Sequence, residues 1–506
     1  NEHELSEACL HFMGGYEGVA GEMLEQDFEL LRDADNLGSI MMFNDDEDFL
    51  AMLRYHYDDW TDGDIEDCSE DIKVLIPGVR LILALSEKYH ALVMNPPYMG
   101  SGNMNATLSK YVKDEYEEGK ADLATVFVQM MAERTLKNGS YAFIIPPSWM
   151  FLSTFEKLRK NIIENNSIQS LLHLSRGVFG ADFGASSAVI QNAANKEARG
   201  TYFRLVERTF QEFEQSHLRM LFEQTLANHD FKYRFKDYTK EVTELPYSED
   251  GNRIYYPNVS QQDFEKIPGC PIGYWVSEQI IDSFEHQELT KVCDTRCGLA
   301  TGRNDYYLRM WFEVIRNNIF FNCKTSEESL HSSCLWYPYD KAGEYRKWYG
   351  NKDYVIKWYK NGTELQNTMH PDGKRIWAHN FNIDKLYQKH IGWSDIISSE
   401  GGLSFRYFEE GFLFDGAANA IFEKEGYSEV DFMVILAYSN SVIPEYVRKL
   451  LNPTIHFKPG NFLNLPYIHC AHKEIWKVAD NNISISKQDW DAHETSWDFE
   501  TNPLLA

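Results

Sequence analysis

The stretch "KYHALVMNPPYMGSG", residues 88–102, decides how the chain is read. His90 to Met94 form an apolar run of strand length, and Asn95-Pro96-Pro97-Tyr98 stops it. Two consecutive prolines fix two φ angles and remove two backbone donors, so the segment is stiff and its carbonyls stay open to other donors. Such a segment is either a plain turn with an exposed tyrosine or a device that presents acceptors to a ligand.

The flanking sequence alternates between two periodicities. From Ala121-Asp122, the residues Leu123, Val126, Phe127, Met130 and Met131 repeat at helical spacing, and Lys137-Asn138-Gly139 is a helix stop. "YAFII" (141–145) is a second strand and ends in a second proline pair, "PPSW" (146–149). "STFEKLRKNII" predicts a helix with Ser153 and Glu156 in capping-box register, and "IQSLLHL" (168–174) and "SAVIQN" (187–192) predict strands. The order β, α, β, α, β, β indicates an α/β sheet with parallel strands at its start. Ligands of such sheets sit beyond the carboxyl ends of strands, where both proline motifs fall. Residues 195–270 are mixed and polar and read as a linker or helical connection. Residues 271–506 are dense in aromatics and turn signals and read as a β-rich α+β domain.

The 506 residues allow two or more domains, and no apolar run approaches the roughly 20 residues of a membrane span. The eight cysteines form no CxxC pair and no disulfide-scaffold spacing, so no metal site is expected and a reducing cytoplasm fits. The net charge of −28 is uneven. Residues 1–70 hold 21 Asp/Glu against two Arg, whereas residues 341–390 hold ten Lys/Arg against five Asp/Glu. Local patches govern phosphate binding, so the total charge excludes nothing. The acidic opening, 1–70, reads as a solvated insertion or connecting segment. The chain starts at Asn1 inside a helix-like pattern, and the expectation is an interior piece of a longer protein.

"NPPY" resembles the catalytic motif of amino-methyltransferases, including ones acting on RNA guanine or protein glutamine. The chemistry suits it. An exocyclic amine is a poor nucleophile because its lone pair is delocalised. Two acceptors aimed at its hydrogens, the Asn95 side-chain oxygen and the Pro96 carbonyl, favour a more tetrahedral nitrogen, and Pro97 adds stiffness. Tyr98 would stack on the base, which in duplex DNA has to be flipped out first.

The wider sequence narrows the resemblance. "NPPYMGSGNMN", "KADLATVFVQMM", "SWMFLSTFEKLR" and "RGVFGADFGASSAVI" resemble the BREX phage-defence methyltransferases (PglX family), which belong with adenine-specific DNA methyltransferases related to type IIG restriction–modification enzymes. "IGYWVSEQ" (272–279), "GLATGRNDYYLRMW" (298–311), "GEYRKWYG" (343–350), "FRYFEEGFLFD" (405–415), "KPGNFLNLP" (458–466) and "QDWDAHETSWDFE" (488–500) extend it over nearly the whole chain. The resemblance implies a partial Rossmann-like methyltransferase fold, its core within residues 71–194, followed by a target-recognition domain. It implies S-adenosylmethionine as cofactor, double-stranded DNA and other phage-defence proteins as partners, and no membrane. Phe179 matches the position whose ring packs against the flipped base in related enzymes; a core or loop-edge aromatic is the alternative. Trp149 is read as packing beneath the cleft, and Asp33 and Asp35 as helix-start capping.

One departure stands out. Such enzymes bind S-adenosylmethionine through a glycine-rich loop after the first strand and an acidic residue after the second. "MGGYEGVAGE" (13–22) has the glycines but no preceding strand, so no cofactor-binding residue is assigned and the first strands of the fold are expected to be missing. For DNA contact, the candidates are Arg303 and Asn304 in a glycine-containing turn, since Arg suits guanine and Asn adenine. Arg346, Lys347, Lys374 and Arg375 are candidates for phosphate within the basic, aromatic-rich 341–390 region; for each singly, a solvated charge is the simpler account. A DNA- or partner-binding module without methylation remains a second reading, and no nuclease motif is seen.

Overall fold

The computed structural model describes residue 12 and residues 19–505, apart from 64, 177, 179–183, 208–211, 242, 243, 398–400, 453, 454, 471 and 503. Two compact units divide between Trp275 and Val276.

The first unit opens with helices α1 (Val19–Leu31), α2 (Glu47–Thr61) and α3 (Glu70–Ser86). Asp46 and Ser69 cap the second and third by accepting from the N–H groups three residues on. The acidic opening is therefore built into the unit. Leu24, Phe28, Phe49, Leu53, Val79 and Ile82 join the same core as the sheet residues Tyr141, Phe143 and Ile168. Its carbonyls are also tied inward: the Arg134 guanidinium donates to Ser39 and Met41 (2.8 and 2.6 Å), and Tyr116 donates to Ile40 (2.5 Å). The charged residues fall on outward faces because the apolar ones repeat at helical spacing.

Strand β1 (Tyr89–Met94) leads through α4 (Ala106–Glu115) and α5 (Leu123–Arg134) to β2 (Thr135–Ile145). Then come α6 (Glu156–Asn165), β3 (Ser167–Leu174), β4 (Ala185–Gln191), β5 (Arg199–Arg204), α7 (Gln215–Ala227) and β6 (Tyr255–Ser260). The six strands form one sheet in the order β1-β2-β4-β3-β5-β6. β1 and β2 are parallel, β4 is antiparallel to both neighbours, and β3 and β5 are parallel. The unit is thus a mixed α/β fold.

Three local expectations shift. Helix α5 ends at Arg134, earlier than the Lys137-Asn138-Gly139 stop, because Asn192 Nδ2 takes the Ala132 and Thr135 carbonyls (3.2 and 2.6 Å) and the chain turns into β2 there. Ser153 and Glu156 form no capping box; residues 153–155 are a 3₁₀ turn leading into α6. Residues 195–270 are more than a connection, since β5 and β6 lie within them and pair antiparallel at the sheet edge. A short strand such as "RGTYFR" has too little alternation to stand out, yet Tyr202 and Phe203 are buried.

The second unit holds two four-stranded sheets. One has the order β8-β10-β9-β13 and the other β12-β11-β14-β7, where β7 is Cys293–Cys297, β8 Leu308–Met310, β9 Trp336–Asp340, β10 Tyr354–Lys357, β11 His390–Ser394, β12 Phe405–Phe408, β13 Leu413–Phe414 and β14 Ala418–Glu423. The helix α8 (Glu429–Asn440) packs against α9 (Lys473–Asp491). Among the described residues, no helix is long and apolar enough to cross a membrane.

Asp27 in α1 supplies a pH test. Its Oδ1 accepts from the Asn44 backbone and side chain (3.1 and 2.7 Å), while its Oδ2 is buried without a partner among the described residues. Burial raises its pKa to about 6, against the lowering effect of Asn44. The folded state therefore holds this proton more tightly than the unfolded state. The contribution is complete below about pH 4 and is lost as pH rises through about 6. Asp27→Asn is expected to raise the melting temperature at pH 7.5, with the gain vanishing towards pH 4, as read by thermal denaturation across pH.

Candidate functional site

The parallel β1 and β2 end side by side, and each releases its chain into a proline pair. Tyr98 joins the two ends: its hydroxyl donates to Asn95 Oδ1 (2.9 Å) and to the Ile144 carbonyl of β2 (3.0 Å). Burial raises the Tyr98 pKa, so the phenol stays a neutral donor near neutral pH. Pro96 is buried, whereas Asn95 and Pro97 are exposed and Tyr98 is half-buried. The motif is thus a rim feature anchored by one proline. No donor among the described residues meets the Pro96 carbonyl.

The residues after the motif are strapped to α5. Leu123 N–H donates to the Met99 carbonyl (2.9 Å) and Ser101 N–H to the Ala121 carbonyl (2.9 Å). Asp122, at the helix start, accepts from the Met99 N–H (3.3 Å) and the Ala124 N–H (2.9 Å). One side chain thereby caps the helix and fixes the loop.

The second proline pair is held from below. Trp149 is fully buried, and its Nε1 donates to Ser186 Oγ on β4 (2.9 Å). Arg159 of α6 is also fully buried. Its guanidinium donates to the carbonyls of Trp149 (2.8 Å), Leu152 (2.7 Å), Gly269 (2.6 Å) and Cys270 (3.1 Å). Burial lowers its pKa to about 10, so it stays charged at neutral pH. Sequence reading passed over Arg159 because Arg in an amphipathic helix ordinarily faces water. His173, near the carboxyl end of β3, was missed too; burial first, then Arg204, draws its pKa down to about 3, so the ring is neutral. Phe179 lies outside the described residues.

The outer edge of β1 has no strand beside it among the described residues. Val93 is 82% exposed there, although the run reads as an interior strand. Asp33 sits at the start of a short helix without a side-chain cap bond. No cluster of three or more metal-ligating side chains occurs among the described residues.

In the second unit the basic candidates separate. Arg346 donates to the Tyr349 and Ser486 carbonyls (2.8 and 3.3 Å), pairs with Asp489 (2.6 Å) and lies over Trp490. Lys347 donates to the Asn440 carbonyl (2.7 Å). The neighbouring Lys352 is buried against Glu409, and Lys357 pairs with Glu364 (2.7 Å). These cations serve the unit's own packing. Arg303, Lys374 and Arg375 are exposed, and Asn304 is exposed with its Oδ1 accepting from Thr301 Oγ1 (2.5 Å). Their two loops are neighbours: Ala300 and His379 exchange backbone hydrogen bonds (3.0 and 3.1 Å). Gly302, at φ +71°, leaves room for Trp377, whose Cδ1 would stand 2.4 Å from an added Cβ.

The sequence comparisons point to methylases. Residues 25–179 match the family of Eco57I restriction-modification methylases. The chain is 34% identical over 433 residues to the adenine-specific methyltransferase PglX of Lacticaseibacillus casei (strain Zhang), covering 84% of this chain and 33% of that protein. It is 32% identical over 494 residues to the adenine-specific methyltransferase BrxX of Escherichia coli O9:H4 (strain HS), covering 96% and 36%. The chain is thus similar to the PglX and BrxX adenine-specific methyltransferases, and it spans about a third of the length of those it matches. Among solved structures, the type IIL restriction-modification enzyme MmeI in complex with DNA aligns over 96% of this chain and 58% of its own, with a TM-score of 0.45 and 11% identity.

The separation of the basic residues is measurable. Arg346→Ala is expected to lower stability by about 2 kcal/mol, through lost carbonyl bonds and stacking. Lys374→Ala is expected to stay within about 0.5 kcal/mol of the parent, as surface changes do. Chemical denaturation of the two variants reads the difference.

Proposed function

We propose that this chain carries the target-base half of a DNA adenine methyltransferase of the phage-defence type, using S-adenosylmethionine as methyl donor and acting on a base flipped out of double-stranded DNA. The observation that carries the reading is the Tyr98 hydroxyl held between Asn95 Oδ1 and the Ile144 carbonyl. That clamp orients the Asn95 carboxamide without using both lone pairs of its oxygen. The remaining lone pair and the Pro96 carbonyl are the two acceptors for the adenine amine. With both hydrogens engaged, the nitrogen lone pair is less delocalised and becomes nucleophilic. The Tyr98 ring offers a stacking face, as adenine recognition outside the duplex requires.

The parallel β1–β2 pair, with both loops at its carboxyl end, supports a partial Rossmann-like methyltransferase sheet. The open edge of β1 supports further strands beside it. No glycine-rich turn between strand and helix stands next to β1 among the described residues, so none of the residues named here is assigned to the sulfonium donor. Residues 276–506 are proposed as the target-recognition part. Arg303 and Asn304 are placed at bases and Lys374 and Arg375 at phosphates, while Arg346 and Lys347 are left to the fold. A place among phage-defence proteins, and such proteins as partners, rest on the sequence resemblance to the BREX methyltransferases and are part of the proposal. A cytoplasmic location follows from a DNA substrate.

The second reading, a DNA- or partner-binding module without methylation, is favoured by the lack of a donor cradle among the described residues. Calorimetric titration of this chain with S-adenosylmethionine bears on both: micromolar binding supports an intact enzyme, and no binding supports a fragment or a binding module, which the Asn95 variant of the full-length protein then tells apart.

In the full-length protein, Asn95→Ala is expected to reduce adenine methylation by about 100-fold or more while DNA binding survives. Tyr98→Phe, which keeps the ring, is expected to reduce it by about tenfold. Undiminished methylation in Asn95→Ala would overturn the assignment. For DNA affinity, the double change Lys374→Ala with Arg375→Ala is expected to flatten the salt dependence by about two units of slope, whereas Arg346→Ala leaves the slope unchanged.

A further inference from the structure

A second cavity, of about 250 Å³, lies away from the proline motifs, between α5 and α6 and over β2. It holds space for roughly eight waters at about 30 Å³ each, so it is larger than a packing defect. Its lining is rich in acceptors. Glu118 stands on one side, with Oε1 accepting from Asn161 Nδ2 (2.8 Å) and Oε2 buried without a partner among the described residues. Glu133 is at the rim, where its carboxylate accepts from Gln129 Nε2 (3.3 Å). No lysine or arginine lines the space.

Two independent observations point to a ligand rather than to an acidic surface alone. Tyr141, fully buried on β2, lines the cavity, and among the described residues its hydroxyl has no hydrogen-bond partner. Asn166, 2% exposed at the end of α6, lines it too, and its Oδ1 is equally unmet. Buried polar atoms are nearly always paired, so three open polar oxygens around one space call for a polar occupant. A carboxylate oxygen, an amide oxygen and a phenol oxygen ask for several N–H donors on one positively charged group. A guanidinium brings five and an ammonium three.

We propose that this cavity is a binding site for a small organic cation bearing a guanidinium or primary ammonium group. Glu118 supplies the counter-charge, and Tyr141 and Asn166 set the orientation. The ligand would bridge α5, which holds the loop after Asn-Pro-Pro-Tyr through Asp122, and α6, which holds the second proline pair through Arg159.

Agmatine, which carries both head groups, is the probe, with putrescine as the ammonium-only arm and potassium chloride at matched ionic strength as control. Calorimetry on the intact chain is expected to show saturable one-to-one binding. Glu118→Gln, a half-buried isosteric change that keeps the fold, is expected to weaken it by about tenfold or more. Tyr141→Phe is expected to weaken it several-fold. Tighter binding of agmatine than of putrescine assigns the guanidinium, and the reverse order the ammonium. Equal binding to the parent and Glu118→Gln would overturn the proposal. So would no binding at millimolar agmatine, or crystals soaked in agmatine that hold only water between Glu118, Tyr141 and Asn166.

Discussion

The buried guanidinium of Arg159 is the constraint on which the cleft rests. Five hydrogen bonds to four backbone carbonyls tie the loop after β2 to the turn at Gly269-Cys270, two segments more than a hundred residues apart. Removing a guanidinium from water is costly, and carbonyl dipoles around a planar fork are the arrangement that offsets it. Lysine has neither the reach nor the geometry to meet four carbonyls in one plane. The neighbouring strand end solves the same problem differently. There the prolines fix the chain covalently, and one phenol, Tyr98, closes the gap to β2. A rigid rim of open acceptors thus stands on a floor held by a single charge.

The second unit shows the same economy of polar groups. Asp340, His390 and Arg406 are all fully buried, and the His390 ring stacks on Phe408 at 4.9 Å. Desolvation lowers the Arg406 pKa while the carboxylate of Asp340 opposes that shift. Gly392 is required beside them, because an added Cβ would lie 2.3 Å from Asp340 Oδ2. Asp340 Oδ1 accepts from the Ala342 N–H (3.0 Å) and Arg406 donates to the Arg346 carbonyl (3.3 Å), so a slip of the strands would cost these buried groups the bonds they have.

What was legible in the sequence is what is locally encoded. The strand before Asn95, helix α5 and the strands β3 and β4 all follow from periodicity and from residues within a turn of one another. What was not legible depends on distant partners. The early end of α5 needs Asn192, about sixty residues away, to take its last carbonyls. Arg346 resembles a phosphate contact until Ser486, Asp489 and Trp490, some 140 residues on, are brought to it. The run of basic and aromatic residues was real, but composition does not say which cations are already paired. In the site itself, the motif residues could be named from sequence, whereas the bond from Tyr98 to the Ile144 carbonyl is a consequence of parallel pairing.

The bare edge of β1 has a consequence for the behaviour of the molecule in solution. A strand with unpaired N–H and C=O groups, and with Val93 facing outward, is a template onto which another chain can add. Natural edges are blunted by inward charges, bulges or proline; the pairing with β2 shifts register between Tyr89 and Ala91, but Tyr89–Met94 holds no proline, lysine or carboxylate. Concentrated protein that shows this edge is therefore prone to self-association by strand addition, and solubility would report whether a neighbour covers it.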